Sequence, residues 1–231
     1  MEQEIKNSYA KLSGLNVSRE TFSDFENYIS MILEKNEKIN IMSNKFIKKN
    51  DIIQRHIVDS AQIIDIVDFN SNTTIDIGSG SGMPGIIIAI LLKSLKKDIR
   101  VKLYEKSYHK SHFLKDVSKK LNLKTEIIQK NIFEEKNIVT GTIMSRAFKP
   151  MPVVLDLVNE NFFDFSNIIF FMGKSGREIF QNTLKDWDLE YSEKKIETGT
   201  IMSRAFKPMP VVLDLVNENF SNFSNIIFFM G

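Results

Sequence analysis

The chain of 231 residues contains no cysteine. That excludes disulfides, cysteine-ligated zinc and every mechanism that needs a thiolate nucleophile. Histidine occurs three times. No second cluster of ligand residues accompanies the closely spaced His109 and His112, so both read as surface residues and no metal site is expected. No apolar run approaches the roughly 18 residues of a membrane span. The opening Met1-Glu2-Gln3-Glu4 is polar and acidic, unlike a secretory signal, and a cytoplasmic location is the expectation. Net charge is small: 31 Lys and Arg face 29 Asp and Glu, leaving +2. The chain as a whole is no polycation. Lysines still cluster at Lys45, Lys48 and Lys49, at Lys93, Lys96 and Lys97, and at Lys106, Lys110, Lys115, Lys119 and Lys120. Such clusters read either as a solvated surface or as a phosphate-contacting face.

What is present is organised around Ile75-Asp76-Ile77-Gly78-Ser79-Gly80-Ser81-Gly82-Met83-Pro84-Gly85. Thr73 to Ile77 is short, apolar and β-branched, as a buried parallel strand is. Ile86 to Leu92 is apolar and suits a helix, and Pro84 fits its first turn. The glycines therefore lie at a strand-to-helix turn, where a ligand can approach the backbone and the helix N-terminus. A dinucleotide site wants G-x-G-x-x-G. Here the spacing is G-x-G-x-G with Met83 at the third dinucleotide position, which resembles the first motif of S-adenosylmethionine (SAM) methyltransferases. Ile99 to Tyr104 reads as the next strand and ends at Glu105, where an acid can accept hydrogen bonds from both ribose hydroxyls of an adenosine.

Around this turn the pattern alternates. Residues 4–14 suggest a short helix. Ser18 caps a second, with Phe22, Phe25, Ile29, Ile32 and Leu33 as a core stripe, and 38–43 breaks it. Asn50 can cap a third helix, on which His56 and Asp59 share a face. Further on, a helix over 107–122, a strand over 125–129, a strand over 139–145, a helix over 153–161, a strand over 168–172, a helix to Trp187 and a strand over 188–196 follow. Alternating strands and helices predict an α/β fold, a Rossmann-like, doubly wound and mostly parallel sheet with N-terminal helices. Ligands bind such sheets at the carboxyl ends of the strands, where Gly78, Glu105, Ile132 and Arg146 fall.

Taken together, the motifs resemble the small-subunit ribosomal RNA methyltransferase G family, also called GidB. The resemblance spans about 10–195. It rests on Lys38-Ile39-Asn40-Ile41, on Arg55-His56-Ile57-Val58-Asp59-Ser60, on the glycine turn and on Ser145-Arg146-Ala147-Phe148. It implies a class I SAM-dependent enzyme that methylates guanine nitrogen-7 in the decoding-region loop of 16S ribosomal RNA. It also implies cofactor contacts at Gly78, Met83, Ile132, Phe133 and Arg146, with Glu105 in the place of the family's acidic residue. The partner implied is 16S ribosomal RNA or the small subunit, without a membrane, and a monomer is expected. Lys174 corresponds to a lysine that the family follows with glycine, whereas Ser175 follows here.

The inventory agrees with that chemistry. Pyrimidine carbon-5 methylation commonly uses a cysteine, and exocyclic amine methylation an Asn/Asp-Pro-Pro-aromatic motif; neither is present. Guanine nitrogen-7 has a free lone pair, so no general base is required and alignment carries the reaction. No single catalytic residue is expected. Two other readings stand beside this one. One is an inactive RNA-binding or ribosome-assembly module. The other is a nicotinamide-dependent oxidoreductase, disfavoured by Met83 and by the lack of a recognisable substrate domain.

The last segment is a repeat. Residues 198–231 copy 140–173, Thr198 matching Thr140, with two differences: Ser221 for Phe163 and Asn222 for Asp164. Near-identity in two copies is not a solenoid and indicates a recent duplication or a sequence-assembly error. The expected organisation is a helical extension over 1–70, a SAM-binding core over 71–197 and the repeat over 198–231. The copied segment carries a strand–helix–strand pattern suited to a parallel crossover. A second cofactor site is not expected there, although Arg204 repeats Arg146.

Overall fold

Strand β1 (Thr73–Ile77) lies at the centre of the sheet and is buried from Thr74 onward. The computed structural model describes residues 9, 12, 18–43, 48–172, 176–187, 191–196, 199–204 and 228–230. Apart from Tyr9 and Leu12, the helix expected over 4–14 lies outside the described residues, as do Lys174, Ser175 and the first residues of the 188–196 strand.

Two parallel neighbours flank β1. On one side β2 (Arg100–Tyr104) pairs with it and β3 (Thr125–Ile128) pairs with β2. On the other stands β5 (Thr142–Arg146), followed by β7 (Asn167–Met172), both parallel. Strand order thus reverses at β1, and the crevice beyond the carboxyl ends of β1 and β5 is the place where such a sheet binds ligands.

Side chains alternate across the sheet. Ile75, Ile77, Ile143 and Ile168 pack into one core with helix α6 (Met151–Asn161). Met144, Ile169, Val101 and Leu103 pack into the other, beneath α1 (Arg19–Lys38), α4 (Gly85–Ser94) and α5 (Tyr108–Lys120). Helix α4 is buried from Gly85 to Leu92, which is why it reads as apolar on every side. Helix α7 (Gly176–Asp186) follows β7.

Several elements depart from the local pattern. Ser18 does cap α1, accepting from the Thr21 amide at 3.2 Å. Asn50 caps nothing. The third helix starts earlier, as α2 (Lys49–Ile52), then widens into a π-helical turn over Ile53–Val58 and resumes as α3 (Asp59–Ala61). The strand expected over 139–145 is two strands. β4 (Ile138–Val139) pairs with β6 (Phe162–Asp164) in a separate small sheet, and only β5 belongs to the main one. Gly141 is the break. Its amide donates to the Thr73 carbonyl at 3.0 Å and its carbonyl accepts from the amides of Ser166 and Asn167 at 2.7 and 3.1 Å. A side chain there would collide with Ser71.

The repeat also departs. β9 (Gly199–Arg204) runs antiparallel to β8 (Ser192–Ile196) and also antiparallel to β7, so it sits between them. Only positions 197 and 198 separate β8 from β9. That is too short for a parallel crossover and enough for a hairpin, so β8 and β9 form a hairpin. The two strands of the repeat, Gly199–Arg204 and Phe228–Met230, pair antiparallel to one another and not as the parallel crossover expected of the copied segment. β10 (Phe228–Met230) pairs in parallel with its own sequence copy, Phe229 against Phe171 and Met230 against Met172. Among the described residues no helix is long and apolar enough to cross a membrane.

Candidate functional site

Between β1 and α4 the chain turns through three left-handed glycines, Gly78 (φ 70°), Gly80 (φ 58°) and Gly82 (φ 103°). A web of short bonds fixes the turn. The Ser79 amide donates to the Tyr104 carbonyl at 3.0 Å, and the Gly82 amide to the Ser79 carbonyl at 2.7 Å. The Gly80 amide donates to Glu105 Oε2 at 2.9 Å. From α1, the Tyr28 hydroxyl donates to the Ser81 carbonyl at 2.6 Å.

The three glycines face different things. A Cβ on Gly80 would meet nothing nearer than the Gly78 carbonyl at 3.9 Å, so Gly80 borders open space. A Cβ on Gly82 would lie 2.5 Å from Ile86 Cγ1 and 2.8 Å from the Tyr28 hydroxyl, so this glycine permits close packing beneath the turn. A Cβ on Gly78 would run into the Phe148 ring. Phe148 therefore covers the spot where the sequence alone suggests ligand approach.

A cavity of about 510 Å³ opens over the turn. Its wall brings together Gly78, Met83, Glu105, Ile132 and Arg146, all singled out from sequence. Phe133 is not on that wall; its ring stands behind, 6.1 Å from the Phe148 ring. Ile41, Met42, Ser43 and His56 complete one side, and Lys106, Lys110, Lys130 and Lys149 also line the space. Sequence reasoning passed over Tyr28 and gave Phe148 no role of its own. Tyr28 lies within the buried stripe of α1, and a buried tyrosine hydroxyl needs a partner; that was the available signal.

Glu105 uses both carboxylate oxygens, Oε2 for the Gly80 amide and Oε1 for the Ser107 amide at 2.8 Å. Each oxygen keeps accepting capacity for a further donor. Arg146 extends from β5 toward the π-helical segment. Its Nη1 donates to Ser60 Oγ at 3.3 Å and its Nη2 to the Arg55 carbonyl. Burial lowers its pKa, while Asp59 and Asp76 work in the opposite direction.

Two buried groups near the turn titrate abnormally. Burial raises Asp76 to about 7; the Gly85 amide and Ser79 oppose the rise, Glu105 adds to it and Arg146 opposes it. Asp76 Oδ2 accepts from the Gly85 amide at 3.0 Å, and its Oδ1 has no hydrogen-bond partner among the described residues. Burial first, then Arg146 and Arg55, push His56 down to about 3. His56 is therefore a neutral imidazole at neutral pH.

The GidB family model, described as rRNA small subunit methyltransferase G, matches residues 21–197. The chain belongs to this family. It is 54% identical over 197 residues to a protein of Pelagibacter ubique named ribosomal RNA small subunit methyltransferase G, covering 85% of this chain and 92% of that one. A protein of the same name from Ruegeria sp. is 30% identical over 179 residues, covering 78% and 86%. Among solved structures, the SAH-bound methyltransferase PaMTH1 of Podospora anserina superposes with a TM-score of 0.53 at 9% identity, over 89% of this chain and 96% of that one. The precorrin-6y C5,15-methyltransferase of Geobacter metallireducens superposes at 0.51 and 13% identity, over 72% and 93%. These likenesses establish the fold, that of class I methyltransferases, with its doubly wound parallel sheet.

As a GidB-family methyltransferase, the chain uses S-adenosylmethionine. The cavity is compatible with that group. Its volume lies within the range of small-molecule sites, Gly80 leaves backbone open to it, and an acid stands at the end of β2 with accepting capacity left.

Proposed function

We propose that this chain transfers a methyl group from SAM to nitrogen-7 of a guanine in 16S ribosomal RNA, in the cytoplasm where ribosomes are built. The observation that carries the reading is the meeting of the glycine turn, Glu105 and Arg146 on one cavity, in a chain that the family model covers from 21 to 197. The sulfonium of SAM supplies an activated methyl group. The chain's own residues bind, orient and exclude water. Gly78, Gly80 and Met83 shape the floor of the cavity. Glu105 would accept from the ribose hydroxyls. Ile132, with Phe133 behind it, would offer apolar packing to the cofactor. Arg146, which ties β5 to the π-helical segment, would supply positive charge on the cavity wall.

No proton needs to leave nitrogen-7, so no group has to act as a base. The ionisable side chains around the cavity suit that demand. His56 is neutral and too weakly basic to hold a proton at neutral pH. Glu105 is engaged with two backbone amides and, in this reading, directed to the ribose of the cofactor rather than to the base. Positioning of the base against the methyl donor is left as the main source of rate.

The test uses tritiated-methyl SAM and 16S ribosomal RNA lacking this methyl group. A product with a positively charged, alkylated guanine should break at one loop position after borohydride and aniline, stopping reverse transcription there. Methyl transfer without that cleavage would assign another atom and remove the no-base mechanism.

A further inference from the structure

The cavity mouth is basic on the side of α5. Lys106 and Lys149 are exposed and Lys110 is half-buried, and all three line the cavity. None of the three makes an ion pair among the described residues, whereas Lys130 beside them is matched by Glu135 at 2.8 Å. The first turn of α5 holds no acidic residue, so its positive N-terminal end adds to the same field.

The first residue of α5, Tyr108, is 59% exposed. It stands off the buried stripe of Ser111, Phe113, Leu114 and Val117, so core packing does not account for it. Its ring is nonetheless held in place. The His112 ring lies 4.0 Å away at 36° and the His109 ring meets it edge-on at 5.6 Å. His112 Nδ1 lies 3.0 Å from the Tyr108 carbonyl oxygen. An exposed, braced aromatic ring two residues along the chain from each of two unpaired lysines is a combination that binds single-stranded nucleic acid, in which bases stack on rings and ammonium groups take phosphates. Tyr108 is not part of the cavity wall, but it lies on the chain segment between two residues that are, Lys106 and Lys110. A base entering the cavity leaves its neighbours without a stacking partner, and an exposed ring just outside the wall can replace it.

We infer that Tyr108 with Lys106, Lys110 and Lys149 forms the docking surface for the RNA strand next to the target guanine: Tyr108 stacks on a flanking base, and the lysines contact the phosphates. This rests on the RNA methyltransferase reading above and adds to it the side from which the strand arrives.

Two measurements on the full chain test it: anisotropy of a short fluorescein-labelled, guanine-containing single-stranded RNA, and methyl transfer to 16S ribosomal RNA at varied RNA concentration. Tyr108→Ala should weaken RNA binding and raise KM for RNA about tenfold, the order of one base–aromatic stack, with SAM affinity and kcat at saturating RNA retained. Tyr108→Phe should restore wild-type values. Lys110→Gln and Lys149→Gln should each lower the slope of log affinity against log salt by about 0.7, the single-strand contribution of one phosphate contact. Unchanged RNA affinity in Tyr108→Ala, with wild-type protein methylating normally, would overturn the surface and leave the enzyme reading intact. A Tyr108-dependent RNA complex in a wild-type protein that transfers no methyl would do the reverse. Loss of SAM affinity in both tyrosine variants would make Tyr108 a structural residue, and no RNA binding at all by wild type would also overturn the inference.

Discussion

A hydroxyl on the N-terminal helix governs the shape of the cofactor turn. Tyr28 is fully buried, its ring stacks with Phe113 at 6.5 Å, and its one polar atom reaches the Ser81 carbonyl. Tyr28→Phe should keep the ring packing and remove that bond, costing on the order of 1 kcal/mol of stability. SAM affinity should fall severalfold, because the Gly80–Gly82 segment loses its tether from below. Titration calorimetry on folded mutant protein measures this, and an unchanged affinity would show that the turn keeps its shape without α1. At the same scale, Asp76 and His56 set a proton balance. Asp76 moves from an ordinary 3.8 up to about 7, so between these values the folded chain holds a proton that the unfolded chain has lost, and stability falls as pH rises. His56 moves from 6.5 down to about 3, so in that window the unfolded chain holds the extra proton, and stability falls as pH falls. From about pH 4 to 6.5 the two effects cancel. His56→Gln should expose the Asp76 slope, with stability dropping by about 1.4 kcal/mol per pH unit on the way up; Asp76→Asn should expose the opposite slope. Thermal unfolding at a series of pH values distinguishes the signs. Parallel curves for wild type and both variants would mean that neither group is perturbed.

At the scale of elements, two copies of one strand sequence fill two different roles. β5 carries Arg146 opposite Phe171, near the carboxyl end of β7. β9 is the copy, yet it runs the other way, and Arg204 pairs opposite Ile168, near the amino end of β7. The cavity lies at the carboxyl ends of β1 and β5, so direction alone puts Arg204 at the wrong edge. Arg204→Ala should therefore leave SAM binding unchanged, whereas Arg146→Ala should weaken it; equal losses would place the second copy in the site. This contrast also marks what the chain discloses about itself. β1 is legible because its β-branched run and its burial coincide, and α1 because its cap and its stripe agree. Gly78, Glu105, Ile132 and Arg146 are legible as a group because strand ends converge wherever a sheet is doubly wound, and Met83 through the family resemblance of the glycine turn. The split at Gly141, the π-helical turn around His56 and the direction of β9 are not legible. Each is decided by a partner distant in sequence or by a connection length, and local propensity is the same either way. The Phe148 ring over Gly78 belongs with these, since a motif spells out its residues without saying which way they face.

For the whole molecule, the consequence concerns what the repeat holds together. β9 is hydrogen-bonded on both sides, three residue pairs with β7 from Ile168–Arg204 to Phe170–Met202 and five with β8 from Ser192–Ser203 to Ile196–Gly199. Among the described residues, β8 reaches the rest of the sheet through β9 and through one pair with β10. Removal of residues 198–231 would take away both. β7 would then become an edge strand whose Ile168, Ile169 and Phe170 follow one another without a charge, the kind of edge that pairs with other chains. β8 would lose its ladder, and with backbone bonds worth about 0.5–1.5 kcal/mol each the loss is a large part of the 5–15 kcal/mol by which domains are stable. A duplication that was merely carried along would be dispensable, and this geometry predicts otherwise. The shortened chain should unfold at a lower temperature and sediment partly as aggregate, whereas SAM should still bind the fraction that stays folded, because the turn, Glu105 and Arg146 lie on the other side of β7. Differential scanning calorimetry together with sedimentation velocity decides the matter. A shortened chain with the wild-type Tm and a single monomeric boundary would mean that β9 adds nothing to the sheet, and that β7 is content at an edge.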